Sequence, residues 1–327
     1  MINPEAKLAT NLYTNVSQKP TRDGFGDGVV EAGKTDKNVV LLCCDLADST
    51  KSAGFRKTFP ERFVEVGIQE QNMVGVAAGM AFSGKVPFIT SYAAFNPGRN
   101  WDQLRVSICY SEANVKMIGA HAGISVGPDG ATHQAMEDIA ITRVLPNLTV
   151  IVPCDYYEAK KATIAMAKVK GPVYMRFGKE NVPIITSEET SFEIGRAQTF
   201  RNGKDVTVIA CGPLVYEALI AAKQLESEGI DVRVINMSTI KPLDKDAIVK
   251  AAKETGAIVT AEEHQITGGL GGAVAECVVK NYPVPVEFVA VNDRFGESGQ
   301  PEELMRKFLV KAPNIVWSVK EAIRRKR

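Results

Sequence analysis

At 327 residues, 45% hydrophobic and 24% charged, the chain has the make-up of an ordinary globular protein of about two domains. A net charge of +1, with no basic run except Arg324 to Arg327, argues against a nucleic-acid or anionic-membrane binder. Six cysteines without CxxC spacing predict reduced core thiols, and with no apolar run of signal or bilayer length the expected setting is the cytoplasm.

Met1 to Pro20 is polar and irregular and reads as an arm. Thr21 is placed to cap a helix with Phe25, Val29 and Val30 on its apolar side. Asn38–Cys44 is a buried strand on which Cys43 and Cys44 point to opposite faces. It ends at Asp45 in DLADST, a loop at the carboxyl end of a strand, where open parallel sheets place ligands. Phe63–Val66 is a short strand stopped at Gly67, and a helix is expected from Ile68. Met73 to Gly84 carries no charge, and Gly75, Ala78, Gly79 and Phe82 fall at helical spacing. That pattern predicts a helix buried on all sides, slim enough for another backbone to come close. Glu70 stands out at its mouth. It is either a charge that favours the positive end of the helix dipole or a carboxylate held at a buried interface for one ligand atom.

Val86–Tyr92 and Val115–Ile118 are further strands, separated by a loop and helix over residues 93–110. The stretch GAHAGISVGPDGATHQ is a glycine-rich loop expected to enter a helix at about His133. Leu148–Val152, a helix Asp155–Lys168 and a strand Val173–Arg176 follow. Residues 179–194 are polar, include Pro183 and read as a linker. From Asp205 the alternation resumes, with strands at 206–212, 232–238, 257–264 and 286–291 and helices between them; Glu302–Leu309 is a closing helix. The expected class is α/β with two doubly wound domains, residues 21–178 and 195–327, on parallel or mostly parallel sheets.

Several motifs carry candidate chemistry. Gly26-Asp27-Gly28 lies inside a predicted helix, and no asparagine stands at the spacing of a magnesium–diphosphate loop, so it is assigned to structure. His121, Asp129 and His133 could be metal ligands, but a glycine-rich loop with no i, i+4 pair argues against it, and no metal is assigned to this chain. They suit a pocket for a hydroxylated or phosphorylated substrate, or else scaffold the loop. Gly268–Gly272, GGLGG, lacks the Lys-Ser/Thr ending of a P-loop and reads as close strand–helix packing. Arg22, Lys51 and Arg176 are candidate anion binders, with Arg176 best placed at the carboxyl edge of the sheet.

GIQEQNM (67–73), HAGISVGPDGATHQ (121–134), DLADST (45–50) and VYMRFG (173–178) together resemble the C-terminal half of a transketolase. The resemblance runs from Thr21 onward. The part up to Phe177 is similar to the pyrimidine-binding domain of thiamine diphosphate enzymes, and the rest to the transketolase C-terminal domain. It implies that Glu70 contacts the aminopyrimidine ring, with Tyr92 and Phe95 against that ring. It implies Arg22, Ser49, His121 and Arg176 as substrate-phosphate binders, and Asp129 and His133 as contacts to donor hydroxyls. Glu70 and His133 are the implied catalytic residues. A carboxylate on the pyrimidine ring nitrogen favours the imino tautomer that removes the thiazolium proton, most effectively where water is excluded.

The implied reaction moves a two-carbon glycolaldehyde unit from a ketose phosphate to an aldose phosphate. A GDG…N motif for diphosphate and Mg²⁺ is missing, so a partner chain is expected to supply that half in an α2β2-type assembly. A deoxyxylulose-phosphate synthase-like carboligase, a 2-oxo-acid dehydrogenase beta-type chain and a non-catalytic partner chain are the rival readings. His121 and the DGATHQ loop favour transketolase over the first two.

Overall fold

A computed structural model describes residues 1–326. Two α/β layers follow the predicted alternation. The first sheet has seven strands in the order Thr239–Lys241, Thr149–Ile151, Val173–Arg176, Lys116–Ala120, Val86–Tyr92, Val39–Cys43 and Phe63–Glu65. All neighbours are parallel except the first pair. The second sheet runs Val286–Val291, Ile258–Gln265, Val206–Ala210, Val232–Asn236 and Gln198–Arg201, with only the last pair antiparallel. Both strands of odd direction, Gln198–Arg201 and Thr239–Lys241, lie outside the predicted elements. The helix Ala312–Arg324 follows the expected closing helix and runs into the basic C-terminal stretch.

The strand Val39–Cys43 shows how alternation builds the layers. Val40, Leu42 and Cys44 enter one core, and Val39, Leu41 and Cys43 the other. The first of these cores continues into the second domain through Ile209, Ile235, Ile240 and Ile248. The two domains therefore share buried apolar surface, the dominant stabilising term in such contacts.

Several boundaries differ from expectation. Pro20, not Thr21, flanks the first helix, and no side chain caps it. The helix expected from Ile68 starts at Glu70, and the one expected at His133 starts at Asp138. The Glu70 helix is not buried all round within this chain. Met73, Val74, Ala77 and Ala78 face the core, while Gln71, Asn72, Gly75, Gly79 and Phe82 are exposed or half-buried on the other side. Residues 1–20 are less irregular than an arm. Ile2 bridges to Arg201, and Ala6 and Leu12 join the core of the second domain. The 179–194 segment is likewise packed, because the Asp155 carboxylate accepts the Ile185 and Thr186 amides at 2.8 and 2.6 Å.

The two glycine motifs are structural. Helix Thr21–Thr35 lies so close to helix Tyr156–Lys168 that a side chain at Gly24 or Gly28 would overlap backbone oxygens of Tyr156 or Lys160. Asp27 instead accepts a hydrogen bond from the Tyr156 hydroxyl at 2.5 Å. In GGLGG, a β-carbon on Gly271 would enter the Phe288 ring. The amides of Leu270 and Gly271 donate to the Glu262 carboxylate at 2.7 and 2.8 Å. An internal carboxylate thus fills the anion position at that helix start.

Candidate active site

The carboxyl ends of Val39–Cys43, Val86–Tyr92 and Lys116–Ala120 lie side by side at the point where strand order reverses, the usual ligand position in such sheets. Each end contributes a loop from the predicted set. Ser49 comes from the first, Tyr92 and Phe95 from the second, and His121 to His133 from the third.

Glu70 sits at the start of its helix and is only 1% exposed. Ser91 Oγ donates to Glu70 Oε1 at 2.9 Å, and Arg99 Nη1 pairs with Oε2 at 2.7 Å. Asn100 Nδ2 donates to the Glu70 carbonyl at 3.4 Å. A carboxylate out of water needs such donors. Neither Ser91 nor Arg99 is among the site residues expected from sequence. The signal lies in the stretch SYAAFNPGR, whose polar members return toward Glu70 only once the strand and loop fold.

The rings form a wall beside this carboxylate. Tyr92 stacks on His121 with centroids 4.1 Å apart, and Phe95 lies 6.1 Å from Tyr92. His133 meets Tyr92 and Phe95 edge-on at 5.9 and 5.5 Å. The Arg99 guanidinium lies 4.4 Å from the Phe95 centroid and so links the wall to Glu70.

Behind the wall lies a basic corner. Arg22 Nη1 donates to the Ser49 carbonyl at 3.1 Å and lies 3.3 Å from His121 Nε2. His121 is 1% exposed and holds a left-handed backbone, φ 54°. Burial first, then the charges of Arg22 and Lys179, push its pKa down to about 3. The ring is therefore neutral near pH 7. With Nε2 accepting from Arg22, the proton belongs on Nδ1, which is buried without a partner. That leaves one unsatisfied donor there.

Asp129 and His133 lie further along the same loop. Lys179 pairs with Asp129 at 3.1 Å, and His133 Nδ1 is 2.9 Å from Thr132 Oγ1. Lys179 falls inside the predicted linker and is not among the expected site residues, although it closely follows the VYMRFG strand end. Arg176 is not in contact with these rings and basic groups; it lines a cavity with Ala122, Ser125 and Phe177. It is 4% exposed, its Nε pairs with Asp138 at 3.1 Å, and both terminal nitrogens donate to the Glu263 carbonyl at 3.2 Å. The sheet edge places it well, but the second domain covers it. Lys51 is turned to Asp23 at 3.5 Å.

Residues 17–184 match the transketolase pyrimidine-binding domain, and residues 195–315 match the transketolase C-terminal domain. The chain belongs to the transketolase family. Enzymes of this family generally depend on thiamine diphosphate. The chain is 41% identical over 305 residues to a 6-deoxy-6-sulfo-D-fructose transketolase subunit of Clostridium sp. (strain MSTE9), covering 93% of this chain and 95% of that one. It is 40% identical over 284 residues to an apulose-4-phosphate transketolase subunit of Phocaeicola vulgatus, covering 86% and 91%. A solved split-gene transketolase, described as an inactive β4 tetramer, shares 44% identity and a TM-score of 0.88, covering 95% of this chain and 100% of that one.

The site fits the pyrimidine half of this family's cofactor, because a dry carboxylate lies beside an aromatic wall. Among the described residues, the GDG triplet offers no open loop for the diphosphate half. The Gly26-Asp27-Gly28 triplet is packed within a helix, with Asp27 turned to Tyr156.

The depressed His121 pKa has a consequence for stability. Below the unfolded value of 6.5, the unfolded chain binds a proton that the folded chain refuses. The stability from this neutral ring is full above that pH and declines as pH falls toward 3. The melting temperature should drop between about pH 7.5 and about pH 5, and His121→Asn should lessen that drop. Scanning calorimetry at both pH values checks it; equal drops in parent and variant would clear His121 as the cause.

Proposed function

We propose that this chain is the pyrimidine-side half of a two-chain transketolase that moves a two-carbon unit from a ketose phosphate to an aldose phosphate. The observation that carries the proposal is the buried Glu70 carboxylate joined through Arg99 and Phe95 to the ring wall that the basic corner backs. Thiamine diphosphate, when bound, supplies the carbon nucleophile that protein side chains lack. In this reading Glu70 bonds the aminopyrimidine ring nitrogen, and Tyr92 and Phe95 lie against the ring. The diphosphate and Mg²⁺ belong to a partner chain with a GDG…N motif.

The same site would hold the sugar. Arg22, Ser49, His121 Nδ1–H and Lys179 gather at the end suited to an anion, while Asp129 and His133 face the hydroxyls. His133 is placed to move a proton. Arg176 acts from behind, through Asp138 and Glu263, instead of touching phosphate. The names of the two relatives fit this division, since a sulfonate and a phosphate are both terminal anions on a sugar. The exposed Gly75, Gly79 and Phe82 face supports pairing with a second copy, in an assembly with two of each chain. The proposed setting is the cytoplasm.

With the complex assembled, His121→Ala and Lys179→Ala should weaken phosphorylated sugars by roughly one to two decades, about 1.5–3 kcal/mol for a charge-assisted bond. Unphosphorylated analogues should change little. KM series on both sugar classes give the comparison, and equal losses for the two classes would move these residues out of the phosphate site.

A further inference from the structure

We propose that Glu263 of the second domain is a positioning residue for the sugar-binding loop, and that shaping this loop is what the second domain does for the site. The inference rests on the transketolase reading above.

The loop from His121 to Gln134 is built from the short helical turn Ile124–Asp129 and tight turns. Short turns close at Gly130 N to Gly127 O, 3.1 Å, and His133 N to Gly130 O, 3.0 Å. The first domain holds its ends, through Ala122 N to Phe177 O at 3.0 Å and Lys179 to Asp129 at 3.1 Å, and the second domain holds its middle. The Glu263 carboxylate accepts the Ser125 amide at 2.5 Å. Gly123, at φ 95°, lies so close to that carboxylate that a β-carbon would overlap it. Gln134 Nε2 donates to the carbonyls of Ile124 at 3.2 Å and Glu297 at 2.9 Å. Gly130 packs on Ser298, and Gly127 on Pro301. Gln265 N donates to Met136 O at 2.7 Å.

Glu263 is the member whose carboxylate reaches the loop, although its charge also favours the nearby Arg176 guanidinium. It is 4% exposed, burial raises its carboxyl pKa, and an apolar side chain would pack there without that penalty. What it supplies is an acceptor for the Ser125 amide, at the bend between His121 and Asp129. Arg176 holds the same residue from the other side through the Glu263 carbonyl, and bonds Asp138 at the start of the next helix. The middle of the sugar loop and the start of the next helix are thus referred to one strand of the second domain. Glu70 and Ser91 lie outside this set of contacts. Loss of the Glu263 carboxylate should therefore disturb the sugar's binding groups and leave the cofactor's partner intact.

The test uses the complex with its partner chain and the variants Glu263→Ala, Glu263→Asp and Glu263→Gln. In the Ala and Asp variants KM for the ketose phosphate should rise at least about tenfold, with kcat within about threefold of the parent. The Gln variant keeps an acceptor oxygen at full reach and should return KM to within about threefold. Proton–deuterium exchange at the thiazolium carbon should stay within about twofold throughout, while amide exchange over residues 122–134 rises in Ala and Asp. Unchanged KM in both, unchanged loop exchange, or a parallel fall in thiazolium exchange each overturns the proposal. If the Ala variant does not fold, the Asp variant, which keeps the charge beside Arg176, decides by the same thresholds. If the parent complex turns over no sugar, the transketolase reading has failed, and loop exchange still judges the Glu263 contact by itself.

Discussion

Replacing Glu70 with glutamine is expected to lower turnover of the assembled enzyme at least about a hundredfold, a loss of about 3 kcal/mol, by analogy with removing one preorganised electrostatic partner. The fold should survive. The amide is nearly isosteric, and the helix is held by Met73, Val74, Ala77 and Ala78 rather than by the carboxylate. What disappears is a negative charge in a dry place, beside the ring wall. A neutral amide cannot favour a proton on a neighbouring ring nitrogen, so proton removal at the thiazolium carbon should slow by a similar factor. Sugar affinity should change less, since the basic corner is untouched. Cofactor affinity should also fall less, because the diphosphate contacts lie elsewhere. Proton–deuterium exchange and turnover, measured side by side in the complex, test this. If both stay within about twofold of the parent, Glu70 is only a helix-end charge.

The second large effect concerns the partner. Purified alone, the chain should show no transketolase turnover with thiamine diphosphate and Mg²⁺, and adding a GDG…N chain should restore it. The reason is local: the only GDG triplet here is packed against the helix Tyr156–Lys168, and its aspartate is bonded to Tyr156. Coupled-assay turnover with and without the partner decides the point, together with mass measurement of the active assembly. Robust turnover by this chain alone would sink the two-chain reading.

Much of this was legible in the amino-acid order because it depends on local pattern. Val173–Arg176 has the predicted limits, and the split of Cys43 and Cys44 between two cores follows from strand alternation. The Glu70 carboxylate was visible as one charge before an uncharged helix. What was not legible depended on distant chain. The helix expected at His133 starts at Asp138, because the Gln134 amide is bonded to Glu297 and Asp138 is bonded to Tyr174 and Arg176. Arg176 stands at the sheet edge as expected, but its bonds to Asp138 and to the Glu263 carbonyl depend on distant chain. Lys179 looks like linker because its polar neighbours do. The exposed side of the Glu70 helix looks like core in sequence because Gly75, Gly79 and Phe82 carry no charge, as the centre of the proposed pairing surface would.

The strand Thr239–Lys241 has a further consequence. It belongs to the second half of the chain, yet it lies along Thr149–Ile151 and finishes the first sheet. Removing everything beyond residue 194 would strip that margin and leave a row of unpaired amides and carbonyls on a flat, apolar strand, a template for runaway stacking with other copies. The second half thus closes an edge of the first. A break in the backbone between them would be tolerated far better than the loss of either piece.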